Sequence, residues 1–141
     1  MAQFPNVITV LGGVWYRNHK VKVYPSRVAI HDGKSFSDGA FYIGECSEDD
    51  GAATYAFSIE ALVNKYRLKK YMVKMDIEGA EYEIFKYGNL KWIEQCSILA
   101  IETHGWLLPD KGIDEIVVNY MTENGCSMEV LGENKIFKKC I

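Results

Sequence analysis

The spacing of apolar residues changes period partway along the chain. Near the start, Val7-Ile8-Thr9-Val10-Leu11 is a short, β-branched apolar run that reads as a strand. Val21-Lys22-Val23-Tyr24 alternates apolar and polar, as a half-exposed strand does. Between Ser26 and Thr54 the pairs Asp32-Gly33, Asp38-Gly39 and Asp50-Gly51 are turn signals, and Phe41-Tyr42-Ile43 between them predicts another short strand. This part reads as an antiparallel insertion or a substrate-facing loop.

From Ser58 the pattern becomes helical. Ile59, Leu62, Val63 and Tyr66 share one face, with Ser58 placed as the N-cap. Tyr71 to Ile77 predicts a strand that ends at Glu78-Gly79, followed by a helix from Ala80 to Tyr87 that Gly88 stops. Asn89 can cap a further turn through Trp92 and Ile93. Ser97-Ile98-Leu99-Ala100-Ile101 is almost wholly apolar, as expected of a central parallel strand covered on both faces. Ile113, Ile116, Val117, Tyr120 and Met121 mark a last helix, ended by Asn124-Gly125. Ser127–Leu131 and Lys135–Lys138, separated by Gly132-Glu133-Asn134, should pair as an antiparallel hairpin. The order predicts an α/β protein with a mostly parallel sheet and an antiparallel C-terminal hairpin.

Composition narrows the picture modestly. With 141 residues, 48% hydrophobic and 25% charged, the chain is expected to form one domain with a real core. A net charge of -3 gives no basic footprint for nucleic acid, and Lys65, Arg67, Lys69 and Lys70 read as a solvated helix end. Cys46, Cys96, Cys126 and Cys140 show no zinc spacing and fit thiols in a reducing compartment. No run is long and apolar enough to span a membrane, and the first residues lack the regions of a secretion signal. The expected address is cytoplasmic.

Candidate chemistry collects at two predicted strand ends, where open α/β sheets bind ligands. Lys74 and Asp76 share a strand face and Glu78 follows at the turn; the other strand ends in Glu102-Thr103-His104. If the strands are neighbours, Asp76, Glu78, Glu102 and His104 converge on one rim. Such a group could act as a general base or hold a divalent metal. It could also be structural, with Asp76 and Glu78 capping the next helix and Lys74 neutralising one of them.

The remaining candidates are weaker. His19 and His31 lie in turn-rich segments and read as surface residues; Trp15 and Trp92 read as core, and Trp106 as a pocket wall near His104. Ser35, Ser37 and Ser47 lack a nucleophile's strained context, Ser47 to Gly51 lacks calcium-loop spacing, and Gly12-Gly13 reads as a bulge or tight bend.

The run Val73-Lys74-Met75-Asp76-Ile77-Glu78-Gly79-Ala80-Glu81 resembles the signature of FkbM-type S-adenosylmethionine-dependent methyltransferases. Ile101-Glu102-Thr103-His104 looks like the family's next strand end, and Asn6 to Trp15 is similar to the strand before its β-rich insertion. The resemblance implies a Rossmann-like methyltransferase sheet, here truncated at the N-terminus, with residues 1–57 as strand and insertion and 58–141 as α/β core of one partial domain. It implies methyl transfer from S-adenosylmethionine to a hydroxyl of a sugar, glycan or natural product. The roles it implies are Asp76, Glu78 and His104 as catalytic, Asp76 and Lys74 at the cofactor, and Glu81, Glu102 and Trp106 at the substrate, with no metal assigned.

The family's opening strand with its glycine-rich loop, and the acidic ribose-binding strand after it, have no counterpart here. The first segment should therefore pair elsewhere, or a second copy or partner chain should complete the sheet. A non-catalytic binding or assembly module on the same fold is the alternative, and a hydrolase built on the carboxylates is a third.

Overall fold

A computed structural model describes residues 6–25, 30–31, 34–35, 41–105 and 109–139. The strands are β1 (Gly13–Val14), β2 (His19–Pro25), β3 (Ile30–His31), β4 (Lys34–Ser35), β5 (Phe41–Glu45), β6 (Thr54–Phe57), β7 (Tyr71–Met75), β8 (Cys96–Glu102), β9 (Cys126–Leu131) and β10 (Asn134–Lys139). The helices are α1 (Ile59–Tyr66), α2 (Glu81–Tyr87) and α3 (Ile113–Glu123), with short 3₁₀ segments at Leu90–Gln95 and Pro109–Lys111. The strands form a small sheet in the order β1-β6-β2-β5, a larger one in the order β7-β8-β10-β9, and the pair β3-β4.

The small sheet is the expected antiparallel insertion, with one departure at its start. Val7 to Leu11 forms no strand, and Val7, Ile8 and Leu11 are exposed. Among the described residues pairing begins at β1, which runs parallel to β6 with Gly13 opposite Ala56. Gly12 makes the tight bend: a Cβ there would lie 2.6 Å from the carbonyl oxygen of Tyr55, closer than side chains tolerate. Trp15, Val21 and Ala56 form this sheet's core together with Ala80, which joins it to the larger sheet. The turns at Asp32-Gly33 and Asp38-Gly39 lie outside the described residues. Asp50 makes an ordinary polar turn, accepting from Ala52 N and pairing with Lys22.

Glu45 ties the β1–β2 connection to β5. It accepts two bonds from Arg17 (2.9 and 2.7 Å) and one from the Trp15 indole (3.1 Å). The Arg17 guanidinium outweighs partial burial, and with Trp15 it holds the Glu45 carboxyl at about 2, below its ordinary 4.5. A lowered folded-state value contributes stability that is complete above the ordinary range and is lost as pH falls. Glu45→Gln should therefore be less stable than the parent at neutral pH and converge on it between about 4.5 and about 2. Urea midpoints across that window check this; a constant gap between the two proteins would refute it.

In the larger sheet β7 and β8 are parallel, while β10 pairs antiparallel with both β8 and β9. The element order suggested a mostly parallel sheet; the sheets are instead mixed, and most ladders in them are antiparallel. The cause is the tight β9–β10 hairpin, which folds β10 back between β8 and β9. Helices α2 and α3 and the first 3₁₀ segment pack on one face, burying Met75, Leu99, Ile101, Phe137, Ile84, Val117 and Trp92. Each such side chain contributes about 1.5–3 kcal/mol.

The opposite face is not buried. Register and strand alternation place Met72, Ile98, Ala100 and Ile136 there; Met72 is exposed and the others are half-buried. The expectation of a central strand covered on both sides is thus met on one side only. Local signals held elsewhere. Ser58 Oγ accepts from Ala61 N (3.1 Å) as N-cap of α1, Gly88 ends α2, and Asn89 caps the following turn through Lys91 N (3.1 Å). No helix among the described residues is long and apolar enough to cross a membrane.

Candidate functional site

Parallel pairing of β7 with β8 puts Lys74 opposite Ala100 and Met75 opposite Ile101, so both chains leave the sheet at the same end. There Asp76, Glu78, Glu102 and His104 converge, as the strand ends suggested. His104 is buried, and its Nε2 lies 3.8 Å from Asp76 Oδ1, 3.7 Å from Glu78 Oε2 and 3.8 Å from Glu102 Oε1. Lys74 Nζ stands 3.6 Å from Asp76 and 3.9 Å from Glu102 at the exposed side of the group.

The strand-to-helix turn that delivers these groups is sharp. Glu78 and Gly79 are both left-handed, with φ of 51° and 91°. For glycine that conformation is free of steric penalty, whereas for Glu78 it is strained, a condition found disproportionately at functional sites. The turn drops Ala80 into the small sheet's core and starts α2 at Glu81.

The family resemblance implied that Glu81 lines or braces the rim; of the two, the structure shows a brace. Glu81 is fully buried, and its Oε1 shares a 2.7 Å hydrogen bond with His104 Nδ1. Its other oxygen, Oε2, has no hydrogen-bond partner among the described residues. Glu81 therefore positions His104 from behind, while the acidic groups at the rim face its other nitrogen. Sequence alone cannot distinguish these placements, because they depend on how the turn orients the first residue of α2.

Between Glu102 and His104, Thr103 points the other way, consistent with strand alternation. Its hydroxyl bonds Asp114 (2.5 Å) and accepts from Lys135 (2.7 Å), which also pairs with Asp114. Burial pushes the Asp114 carboxyl up, but the bonds from Lys135 and Thr103 outweigh it and hold the group below its ordinary range. This network braces the end of β8 against α3 and β10.

A cleft of about 400 Å³ adjoins the turn on its other side, lined by Trp15, Tyr16, Glu45, Gly79, Tyr87 and Lys111 among others. It was not legible in the sequence, since it arises where the β1–β2 connection packs on α2. Trp106, assigned to the substrate, lies outside the described residues. Trp15 and Trp92 are buried core residues as expected, and Cys96 and Cys126 lie in the main core.

No protein-family profile matches the chain, and neither a curated protein nor a solved structure matches it.

Proposed function

We propose that this chain is a methyltransferase-derived domain that acts on S-adenosylmethionine, transferring its methyl group to a hydroxyl of a sugar, glycan or natural product. The observation that carries the reading is the position of the Val73–Glu81 run. It spans the end of β7, a left-handed turn and the start of α2, with Asp76 and Glu102 side by side at the carboxyl ends of two parallel strands. Dinucleotide-like cofactors bind at such ends in open α/β sheets. The closing hairpin agrees with the Rossmann-like sheet that the family resemblance implies, its last strand inserted antiparallel beside β8.

In this reading Asp76 and Lys74 face the cofactor. His104, positioned by Glu81, accepts the proton of the methyl-accepting hydroxyl, and Glu102 and Glu78 orient that hydroxyl. The cofactor's adenosine side requires elements beyond β7. Two features support their addition by a second copy or a partner chain: β7 is an edge strand, and the sheet face bearing Met72, Ile98, Ala100 and Ile136 is unburied.

One observation favours the alternative, a non-catalytic binding or assembly module. Among the described residues no glycine-rich loop leads from a strand into a helix, and Gly13 opens a two-residue strand instead.

Calorimetric titration with S-adenosylhomocysteine, run with light scattering, separates the two. Micromolar binding by a species larger than a monomer is expected, weakened at least tenfold by Asp76→Ala at unchanged melting temperature. Absence of binding up to millimolar ligand would favour the module, and binding indifferent to Asp76→Ala would remove that residue from the site.

A further inference from the structure

We infer that Asp76, Glu102 and His104 form a binding site for a divalent first-row transition metal ion such as Mn²⁺ or Zn²⁺, with Glu78 able to supply a fourth ligand. One potential ligand atom from each of the three residues lies within 4.8 Å of the others. The inference concerns the ion alone and does not depend on methyl transfer: with an ion at Nε2, that nitrogen is a ligand and no longer the base of the reading above.

The distances suit ligands better than hydrogen bonds. His104 Nε2 is almost equidistant from the three carboxylates, at 3.8, 3.7 and 3.8 Å. Those separations exceed hydrogen-bond length. Two donors each about 2.1 Å from one ion, at an angle of about 110–120°, stand roughly 3.5 Å apart. Small rotations of Asp76 and Glu102 suffice, because Asp76 is exposed and Glu102 half-buried.

The second observation lies behind the imidazole. Metal-binding histidines commonly bond a carboxylate through their other nitrogen, which fixes the tautomer that leaves a lone pair toward the metal. Glu81 stands in that relation to His104, at 2.7 Å from Nδ1 and with no solvent exposure. A wholly buried carboxylate with one oxygen unpartnered among the described residues is costly unless positive charge lies close by. An ion at Nε2 would supply that charge through the ring.

Charge balance points the same way. Asp76, Glu78, Glu81 and Glu102 gather around one imidazole, and among the described residues Lys74 pairs with two of them, Asp76 and Glu102. Lys74 is half exposed, stands 3.6 and 3.9 Å from the carboxylates and makes one long bond of 3.5 Å to the Met75 carbonyl, so it can turn outward when an ion enters. Oxygen-rich donors with one imidazole suit Mn²⁺ and Zn²⁺, while the absence of thiolate among them disfavours soft ions. The exposed side of the group leaves coordination positions for water or a ligand hydroxyl.

The test needs no substrate. The full chain, treated with chelator and desalted, is titrated with Mn²⁺ while the free-ion electron paramagnetic resonance signal is followed. One ion per chain is expected, bound below millimolar concentration, displaced by Zn²⁺ and retained in high salt. Asp76→Asn and Glu102→Gln should each weaken it at least tenfold. Glu129→Gln, which removes a remote exposed carboxylate paired with Lys138, should leave it unchanged. Both ligand variants sit at the rim, so the test survives a failure of His104→Gln to fold. An undiminished free signal up to millimolar Mn²⁺ would overturn the site. So would binding that survives both rim substitutions, or binding lost in high salt as for a diffuse counter-ion.

Discussion

Replacing Glu81 by alanine is expected to lower the melting temperature by roughly 10 °C, the shift that about 3 kcal/mol produces in a domain of this size. Glu81 is wholly buried, and the 2.7 Å bond to His104 Nδ1 joins it to another buried polar residue. Deleting one partner of such a bond leaves the other desolvated and unpaired, which costs about 1–3 kcal/mol. The lost methylene adds about 0.8 kcal/mol. Loss of the unpartnered Oε2 returns part of this, since that oxygen gains nothing from a described hydrogen bond.

Glu81→Gln keeps an acceptor for Nδ1 and is expected to fall between the parent and Glu81→Ala. Thermal unfolding followed by circular dichroism, with chelator present to keep metal out of the comparison, checks the order. If Glu81→Ala melted within about 2 °C of the parent, the pair would contribute no net stability and His104 would be held by its packing alone.

Glu81 also marks where sequence reasoning reaches its limit. The strand ends at Asp76 and Glu102 were legible because alternation and the rule of carboxyl-end ligand sites are both local inferences. His104 joined them once the two strands proved to be neighbours. Glu81 reads as one more acidic residue of the run, and only the turn through Glu78 and Gly79 sends it inward. The same distinction divides the rest of the fold. Ser58, Gly88 and Asn89 act within one helical turn of themselves, so the boundaries they mark appear where periodicity places them.

Pairing partners are chosen at long range, and there the reading departed. Val7 to Leu11 has strand composition, but the described residues first pair at Gly13, beside β6. Ser97 to Ile101 has the composition of a doubly covered strand, yet Ile98 and Ala100 face an unburied side. Composition records what a segment can bury; the elements beside it decide what it does bury. Here the unburied side adjoins the open edge at β7 and the acidic rim.

Gly79→Val is expected to destabilise the protein by about 3 kcal/mol and to disorder the acidic site together with the fold's second core. Gly79 sits at φ 91°, where a side chain meets the adjoining backbone and a β-branched one fares worst. Strain of this kind costs about 1–3 kcal/mol when the backbone holds its course. Relief by movement is costly here as well, because the next residue, Ala80, is buried among Trp15, Val21 and Ala56, and the one after it anchors His104. Glu78→Gly supplies the contrast. It removes a side chain from a left-handed position at φ 51°, so the folded state gains what unfolded-chain entropy partly takes back, and stability should hold or rise by up to about 1 kcal/mol. Urea denaturation of both variants gives the sign of each. A Gly79→Val protein as stable as the parent would mean that the turn has another low-energy path, and the link between its left-handed pair and the placement of Glu81 would be lost.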